Sequence, residues 1–566
     1  LSTSNNSKIE TCDLLVAGSG AAGFAAAVVA AHHGLKVILI EKDMTLGGTS
    51  ALSGGWIWAP CNPVAKRHGI LEEIEAPRRY LKAVLGNNFR PELVDAFLKA
   101  APEMVAFFED NTALTFDCGA KIPDTYSELP GAGMGGRSVI AQPYDARSLG
   151  DDVDLLRPPM KETTFLGMTI QAGPDLRAFL TATRSVKSMA YVSLRFGRHL
   201  WDLLRYGRGM QLRNGNALIG RLLRAALDKG VDLRPSHKIT ELLQDQTGVI
   251  GAVVESEAGK TTIHAKHGVV LACGGYANDL ARRESTFPRP EEHLTLAVPS
   301  ATGDGLRLGE TAGGHQDLSV AAPGAWCPVS QVTWPDGSTG VFPHIIDRGK
   351  PGVIGVLADG QRFCNEGLGY HDYVREMLTK VPDGQETASW LICDHRFLRR
   401  YGLGIVRPAP IPISGWLQSG YLTRGKTLAD LAKACGIDTA GLEATVADFN
   451  EDARRGEDPR FGRGTTPYMR LQGDPDVRPN PCLAPIENGP FYAVKVVPGS
   501  FGTFSGLKTD GNARVLDDNE DPIRGLYAAG TDMSSVMGGH YPAGGINLGP
   551  ALTFGFIAGR HAAKES

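Results

Sequence analysis

The apolar positions between Thr11 and Asp43 change period twice. Asp13-Leu-Leu-Val-Ala17 is a short apolar run that reads as a buried strand. Gly18-Ser-Gly-Ala-Ala-Gly23 follows, then an alanine-rich helical segment through His33 that Gly34 stops, then a second apolar run, Lys36-Val-Ile-Leu-Ile-Glu41. The order is strand, GxGxxG, helix, strand, with an acid closing the second strand. In a glycine-rich chain GxGxxG alone is weak evidence; flanked in this way it predicts a dinucleotide-binding βαβ unit. Gly18 would make the tight turn, Gly20 would let backbone approach a pyrophosphate, and Gly23 would allow close helix–strand packing. The amides at Ala21 and Ala22 open the helix toward the phosphates, and Glu41, with Lys42 beside it, would reach the adenosine ribose hydroxyls.

The same texture returns twice. Asn214–Asp228 has the spacing of an amphipathic helix and ends before Lys229-Gly230, and strand-like runs follow at Val231–Leu233, Lys238–Leu243, Val249–Glu255 and His267–Ala272. The last of these runs into a double glycine at Gly274, a ligand-facing strand end in an open parallel sheet. Arg524-Gly-Leu-Tyr-Ala-Ala-Gly530 repeats the pattern near the C-terminus. A cofactor fold assembled from separated segments is therefore expected. From Leu294 to Pro485 the βαβ spacing disappears, prolines and aromatics become frequent, and helices are predicted at Thr427–Cys435 and Leu442–Arg455. The expected division is a cofactor-binding domain made of residues 1–293 and 486–566 with an inserted domain over 294–485. Leu176–Arg213 is basic and partly amphipathic and is read as a surface helix with a solvated face; peripheral membrane contact is the alternative.

At 566 residues two domains are the natural expectation, and the 70 glycines fall in short runs without a collagen-like period, as where backbone must approach a ligand. A net charge of −4 gives no argument for nucleic acid. The nine cysteines are scattered without a CxxC pair, which suggests neither a zinc site nor a disulfide framework and reads as reduced thiols of a cytoplasmic protein. Leu1–Lys8 lacks a basic region followed by an apolar core and is read as no signal peptide. No run approaches the roughly 20 apolar residues that span a bilayer.

The segment Gly538-Gly-His-Tyr-Pro-Ala-Gly-Gly-Ile-Asn-Leu-Gly549 places the Tyr541 phenol four residues before the Gly545 amide. Two neutral donors of that kind can converge on one carbonyl oxygen and hold the charge that develops there. With Gly18–Gly23, Glu41 and Gly47-Gly-Thr-Ser-Ala-Leu-Ser-Gly-Gly-Trp56, the chain resembles the FAD-binding half of the succinate dehydrogenase/fumarate reductase flavoproteins. Asp359-Gly-Gln-Arg-Phe-Cys-Asn-Glu366 and Gly502–Asp510 resemble their other motifs. The resemblance implies an α/β fold: a Rossmann-like FAD-binding domain assembled from separated segments, with an inserted α+β substrate-capping, catalytic domain. It further implies FAD contacts from Gly48, Thr49, Ser50, Ser53, Gly54, Gly55, Ala272, Gly274, Gly530, Asn547 and Leu548. Some relatives attach FAD through a histidine in the segment matched by Gly48–Ser50; none occurs there, so the flavin is expected to be non-covalent.

Within that superfamily three segments are similar to the 3-ketosteroid Δ1-dehydrogenases. Asn365-Glu-Gly-Leu-Gly-Tyr370 matches their Asn-Glu-x-x-x-Tyr pattern, where fumarate reductases place a proton-donating arginine. Tyr541-Pro-Ala-Gly-Gly545 matches their Tyr-Pro-Gly-Pro-Gly ketone-binding turn, with Ala543 and Gly544 as departures and Asn547 nearby as a more polar neighbour. Asp124–Gly131 resembles a segment that supplies a supporting tyrosine, here Tyr126. The chemistry implied is Tyr541 and Gly545 stabilising an enolate oxygen, Tyr370 removing the α-proton, and hydride passing to flavin N5. An unperturbed phenol has a pKa of about 10, so Tyr126 or Tyr373 is expected to assist Tyr370. The expected partners are a steroid or other cyclic ketone and an external quinone or dye-like electron acceptor. A desaturase acting at another ring bond, or a fumarate-reductase-like enoate reductase, is the alternative.

Overall fold

A computed structural model of the chain describes residues 8–564. The N-terminal stretch read as lacking a signal sequence lies, apart from Lys8, outside the described residues. Leu14–Ala17 is the central strand of a six-stranded sheet whose order is Arg514–Leu516, Pro522–Ala528, Val269–Leu271, Leu14–Ala17, Val37–Ile40, Asp232–Arg234. The last five run parallel, and Arg514–Leu516 is antiparallel at the edge. Leu14, Leu15 and Val16 have no exposed surface, which is why their run is continuously apolar rather than alternating. The order reverses at Leu14–Ala17, so the crevice beyond its C-terminal end is the ligand-binding position of such sheets.

Gly18 turns the chain at φ +106°, and a Cβ there would lie 2.0 Å from the Ala272 carbonyl oxygen, so the turn and the neighbouring strand end are in backbone contact. The helix Ala21–His32 packs against the C-terminal helix Leu548–Lys564. A Cβ on Gly555 would meet the Ala22 carbonyl at 2.3 Å, and one on Gly559 the Ala26 carbonyl at 2.5 Å. The two ends of the chain thereby form one layer, which brings the loop before Leu548 to the mouth of the βαβ unit.

Lys238–Asp245 and Gly248–Ser256 leave the central sheet. They join Gly259–Ala265 and Lys8–Cys12 in a separate four-stranded sheet. In Lys238–Asp245 only Ile239 is buried, as in a solvated hairpin rather than a strand covered on both sides.

A seven-stranded sheet forms the inserted region around one long strand, Phe491–Thr503. This strand pairs with Gly324–Thr333 on one side and Ser389–Asp394 on the other. It lies past Pro485, and its C-terminal end carries Phe501 against Tyr370. Leu428–Cys435 forms behind a reciprocal capping box of Thr427 and Asp430. The next helix begins at Thr439 because the Asp438 carboxylate accepts from the Gly441 amide at 2.6 Å. Two helices, Pro174–Thr181 and Val186–Tyr206, cover most of Leu176–Arg213, and the second turns Arg195, His199 and Asp202 inward while Val186, Leu194, Trp201 and Leu204 stay exposed beside Lys187, Arg198 and Arg205.

Candidate active site

Tyr370 opens the helix Tyr370–Lys380, directly after the turn that holds Glu366. Glu366 is fully buried; Arg362 donates to both its oxygens at 2.8 and 2.7 Å, Arg463 lies 3.3 Å from it, and the Gly355 amide donates at 3.0 Å. Arg362 continues to Asp458 at 2.9 Å. Burial alone would raise the Glu366 carboxyl, but Arg362 and Arg463 outweigh it and hold the group below its ordinary range. This paired cluster fixes the segment from which Tyr370 projects.

Tyr541 arrives from the opposite side, on the loop before the last helix. Its ring meets that of Tyr370 edge to face, with centroids 4.8 Å apart. Phe501 closes on Tyr370 at 5.4 Å, and Phe504 and His371 each lie 6.0 Å from Tyr541. Asn547 Nδ2 donates to the Tyr541 hydroxyl oxygen at 3.1 Å. Gly545 turns at φ +100° beside Trp58, whose amide donates to the Gly545 carbonyl at 3.0 Å. The Gly545 amide itself takes part in no hydrogen bond among the described residues. A phenol and an unpaired amide on one tight loop can hold a carbonyl oxygen, and the phenol of Tyr370 faces them.

Burial, then the proximity of Tyr541, pushes the Tyr370 phenol well above its ordinary range. Burial likewise raises Tyr541, while a hydrogen bond from Tyr370 works against the rise. Both are neutral near pH 7, as a donor to a developing oxyanion should be. Burial, with smaller contributions from Arg375 and His540, pushes His371 down to about 3. Its ring is therefore neutral, and its Nδ1 accepts from the Trp326 amide at 3.2 Å.

Two assisting tyrosines named from sequence have other partners. Tyr126 donates to the Asp372 carboxylate, 3.0 Å from each oxygen. Tyr373 is turned into the core and shares a 2.9 Å hydrogen bond with Ser389, because the helix that starts at Tyr370 points residue 373 back toward the sheet. The phenol that acts electrostatically on both Tyr370 and Tyr541 is Tyr468, at the start of the helix Pro467–Gln472. Sequence reading missed Tyr468, which lies in a short helix outside every motif, and His371, whose only signal was its place directly after Tyr370. His540 is a hydrogen-bonding neighbour, its Nε2 being 3.4 Å from Asn88 Oδ1.

Several of the residues expected to hold FAD gather at the C-terminal end of the central strand. Absent side chains leave room there: a Cβ on Gly48 or Gly54 would meet nothing within 4 Å, and one on Gly20 would first reach Ser50 Oγ at 3.5 Å. Gly274 and Gly530 both have positive φ at the two neighbouring strand ends, and Gly530 closes on Ala22. Glu41 is buried and held by the Ser19 amide at 3.0 Å and the Ser19 hydroxyl at 2.5 Å. Ser50 Oγ accepts from the Ala21 amide at 3.0 Å, so that helix amide already has a partner. Thr49 accepts from the Val298 amide at 3.1 Å, and Ser53 donates to the Ser50 carbonyl at 2.8 Å. The Lys42 ammonium is bound to Thr302 and Asp304 at 2.8 and 2.7 Å, so it ties the strand end to the inserted region. Gly55 packs on Asn214, and Ala272 on Gly18. A glycine-walled groove of this kind fits an extended dinucleotide.

Comparison with known proteins agrees with this geometry. The FAD binding domain family matches residues 13–548. The chain is 40% identical over 566 residues to a 4-oxocyclohex-2-ene-1-carboxylate 5-dehydrogenase of Sinomonas cyclohexanicum, covering 99% of this chain and 95% of that protein. It is 35% identical over 570 residues to a 3-oxosteroid 1-dehydrogenase of Mycobacterium tuberculosis, covering 99% of each. The crystal structure of 3-ketosteroid delta1-dehydrogenase from Sterolibacterium denitrificans, in complex with 1,4-androstadiene-3,17-dione, superposes with a TM-score of 0.91 at 34% identity, covering 98% of this chain and 100% of that one. An FAD crevice faced by a phenol pair and a glycine loop, in a chain that matches these proteins from end to end, places it among the FAD-dependent oxidoreductases of the 3-ketosteroid dehydrogenase family, within the succinate dehydrogenase/fumarate reductase flavoprotein superfamily.

Proposed function

We propose that this protein desaturates a ring ketone at the bond next to its carbonyl, acting on C1–C2 of a 3-ketosteroid. The observation that carries the reading is the facing pair Tyr370 and Tyr541, 4.8 Å apart, with Gly545 beside them. Tyr541 and the Gly545 amide would hold the ketone oxygen and stabilise the enolate that forms as the α-proton leaves; one such donor contributes about 2.7–4 kcal/mol to the transition state. Tyr370, in the fraction present as phenolate, would take that proton and become the neutral phenol. FAD, when bound without a covalent link, supplies the acceptor for the hydride that leaves the adjacent ring carbon. One proton and one hydride leave, one carbon–carbon double bond forms, and an external quinone or dye-like acceptor later removes the electron pair. The aromatic walls Phe501 and Phe504 suit an apolar ring system.

A second substrate reading has its own support. The 40% identical relative is named for a 4-oxocyclohexene carboxylate, and Ala543, Gly544 and Asn547 depart from the steroid motif at the ketone-binding turn. The same two donors and base would serve that smaller ketone. The test is anaerobic mixing of the FAD-loaded protein with androst-4-ene-3,17-dione and, separately, with 4-oxocyclohex-2-ene-1-carboxylate. Bleaching of the flavin band with formation of the 1,4-diene supports the steroid reading, and bleaching with the carboxylate alone selects the smaller ketone. No bleaching with either, together with reoxidation of the reduced protein by fumarate, overturns ring-ketone desaturation.

A further inference from the structure

The helix His395–Tyr401 carries Arg396 and Arg400 one turn apart on the same side, and both line a cavity of 310 Å³ in the inserted region. Phe397, Ala453 and Leu483, all buried, form its apolar wall. Arg454, from the end of the helix Thr439–Arg455, and Arg478 bring two more guanidiniums to the lining. Among the described residues no carboxylate lines this cavity, and it shares no residue with the candidate active site. Cavities that hold small molecules have this build: about 300–1,000 Å³, with an apolar wall and a few charged or polar groups.

The partners of the four arginines say what the cavity takes. Arg454 is paired with Glu487 at 2.5 Å, and Arg400 Nη2 with Asp474 at 2.6 Å. Arg396 and Arg478 pair with no acid among the described residues. Arg396 donates to the Pro485 carbonyl at 2.8 Å, and Arg478 to the carbonyls of Pro475 and Val477 at 2.7 and 3.3 Å. A carbonyl accepts a guanidinium hydrogen but leaves the charge unanswered. Arg400 Nε is buried with no hydrogen-bond partner among the described residues, and a buried donor left unpaired costs free energy that a bound acceptor would recover. The Tyr401 hydroxyl is engaged by Asp474 at 2.6 Å, so that residue offers the cavity its ring. Guanidiniums in this state match a carboxylate, whose two oxygens accept in the same plane as the fork. We infer that this cavity binds a ring carboxylate, with the carboxylate on the arginines and the ring against Phe397, Ala453 and Leu483. The inference is independent of the proposed substrate.

The experiment is calorimetric titration of the FAD-loaded full chain with 1-naphthoate as the probe and 1-naphthamide as its uncharged counterpart. The acid is expected to fill a site that Tyr541→Phe leaves intact, and the amide to bind about ten-fold more weakly or worse. Arg396→Gln combined with Arg478→Gln should weaken naphthoate binding about ten-fold or more, while the flavin spectrum and the thermal midpoint stay as in the parent. If that variant unfolds, Arg478→Gln alone, made on an exposed side chain, should weaken binding several-fold. The inference is overturned if the parent protein leaves naphthoate unbound, if the amide binds as tightly as the acid, or if the glutamine variants bind as the parent does. It is equally overturned if Tyr541→Phe is the change that abolishes binding, which would put the probe in the candidate active site.

Discussion

Asn547 Nδ2 donates to the hydroxyl oxygen of Tyr541 across 3.1 Å. Because that oxygen accepts from the amide, the Tyr541 proton is left to point elsewhere, toward the space shared with Tyr370 and the Gly545 amide. Under the proposed chemistry Asn547 is a positioning residue for Tyr541. Asn547→Ala should lower kcat/KM about five-fold with FAD still bound, the scale of one lost hydrogen bond of about 1 kcal/mol. The check is a double-mutant cycle: adding Asn547→Ala to Tyr541→Phe should cost little more, since the second change removes the group the first one orients.

Tyr541→Phe and Tyr370→Phe should each reduce kcat severely while the flavin absorbance is retained. For Tyr541 the expected loss is about 10²–10³-fold, and for Tyr370 about 10²–10⁴-fold. Stopped-flow reduction of the flavin measures both directly, and near-parental rates in either variant would remove that residue from the chemistry.

The Tyr370 phenol is raised first by burial and then by Tyr541. Its basic form therefore gains population only as pH climbs toward and past the ordinary phenol value of about 10. kcat/KM should rise with pH throughout the neutral and mildly alkaline range without reaching a plateau. A pH profile of Tyr370→Phe should be flat over the same range.

His371 and His293 are both buried and both held down to about 3, by burial first and then by Arg375 and Arg283 respectively. The unfolded chain protonates these imidazoles near 6.5, whereas the fold keeps them neutral until about 3. Stability is therefore unaffected above pH 6.5 and is lost as pH falls below it, by about 2.7 kcal/mol per pH unit for the two together. Both nitrogens of His293 are buried without a hydrogen-bond partner among the described residues, between Phe287 and Trp326. His293→Phe should accordingly keep or raise stability at pH 7 and shrink the acid-side loss by about half. Denaturant unfolding at pH 7, 5.5 and 4.5 compares the two proteins, and equal losses would refute the assignment.

Glu366 joins Arg362 and Arg463 in a fully buried cluster behind Tyr370. Glu366→Ala leaves two buried guanidiniums without their shared carboxylate and should destabilise the inserted region by about 3–5 kcal/mol. A drop in thermal midpoint is the measurement. Arg362→Met with Glu366→Met should not recover the loss, because it strands the buried Asp458 carboxylate that Arg362 pairs at 2.9 Å and still leaves Arg463 without Glu366.

The parts of this protein that are local in the chain were legible in its sequence. The unit from Leu14 to Ile40, the helix Asn214–Asp228 and the loop carrying Tyr541 and Gly545 each follow from period, glycine placement and capping within a few residues. Those cues act over one turn or one strand, so a single chain displays them. Tertiary structure decided everything that depends on which side chains meet. It turned Tyr373 into the core, gave Tyr126 to Asp372, and brought His371 and Tyr468 to the tyrosine pair. It also inverted Val186–Tyr206, where a helical period alone marks two faces without saying which is inward. That choice was made by Asp175, Leu166 and Arg147, which satisfy the polar face from elements distant in sequence. Burying that face requires partners that only the folded chain assembles, since an unpaired buried charge costs more than an exposed apolar stripe.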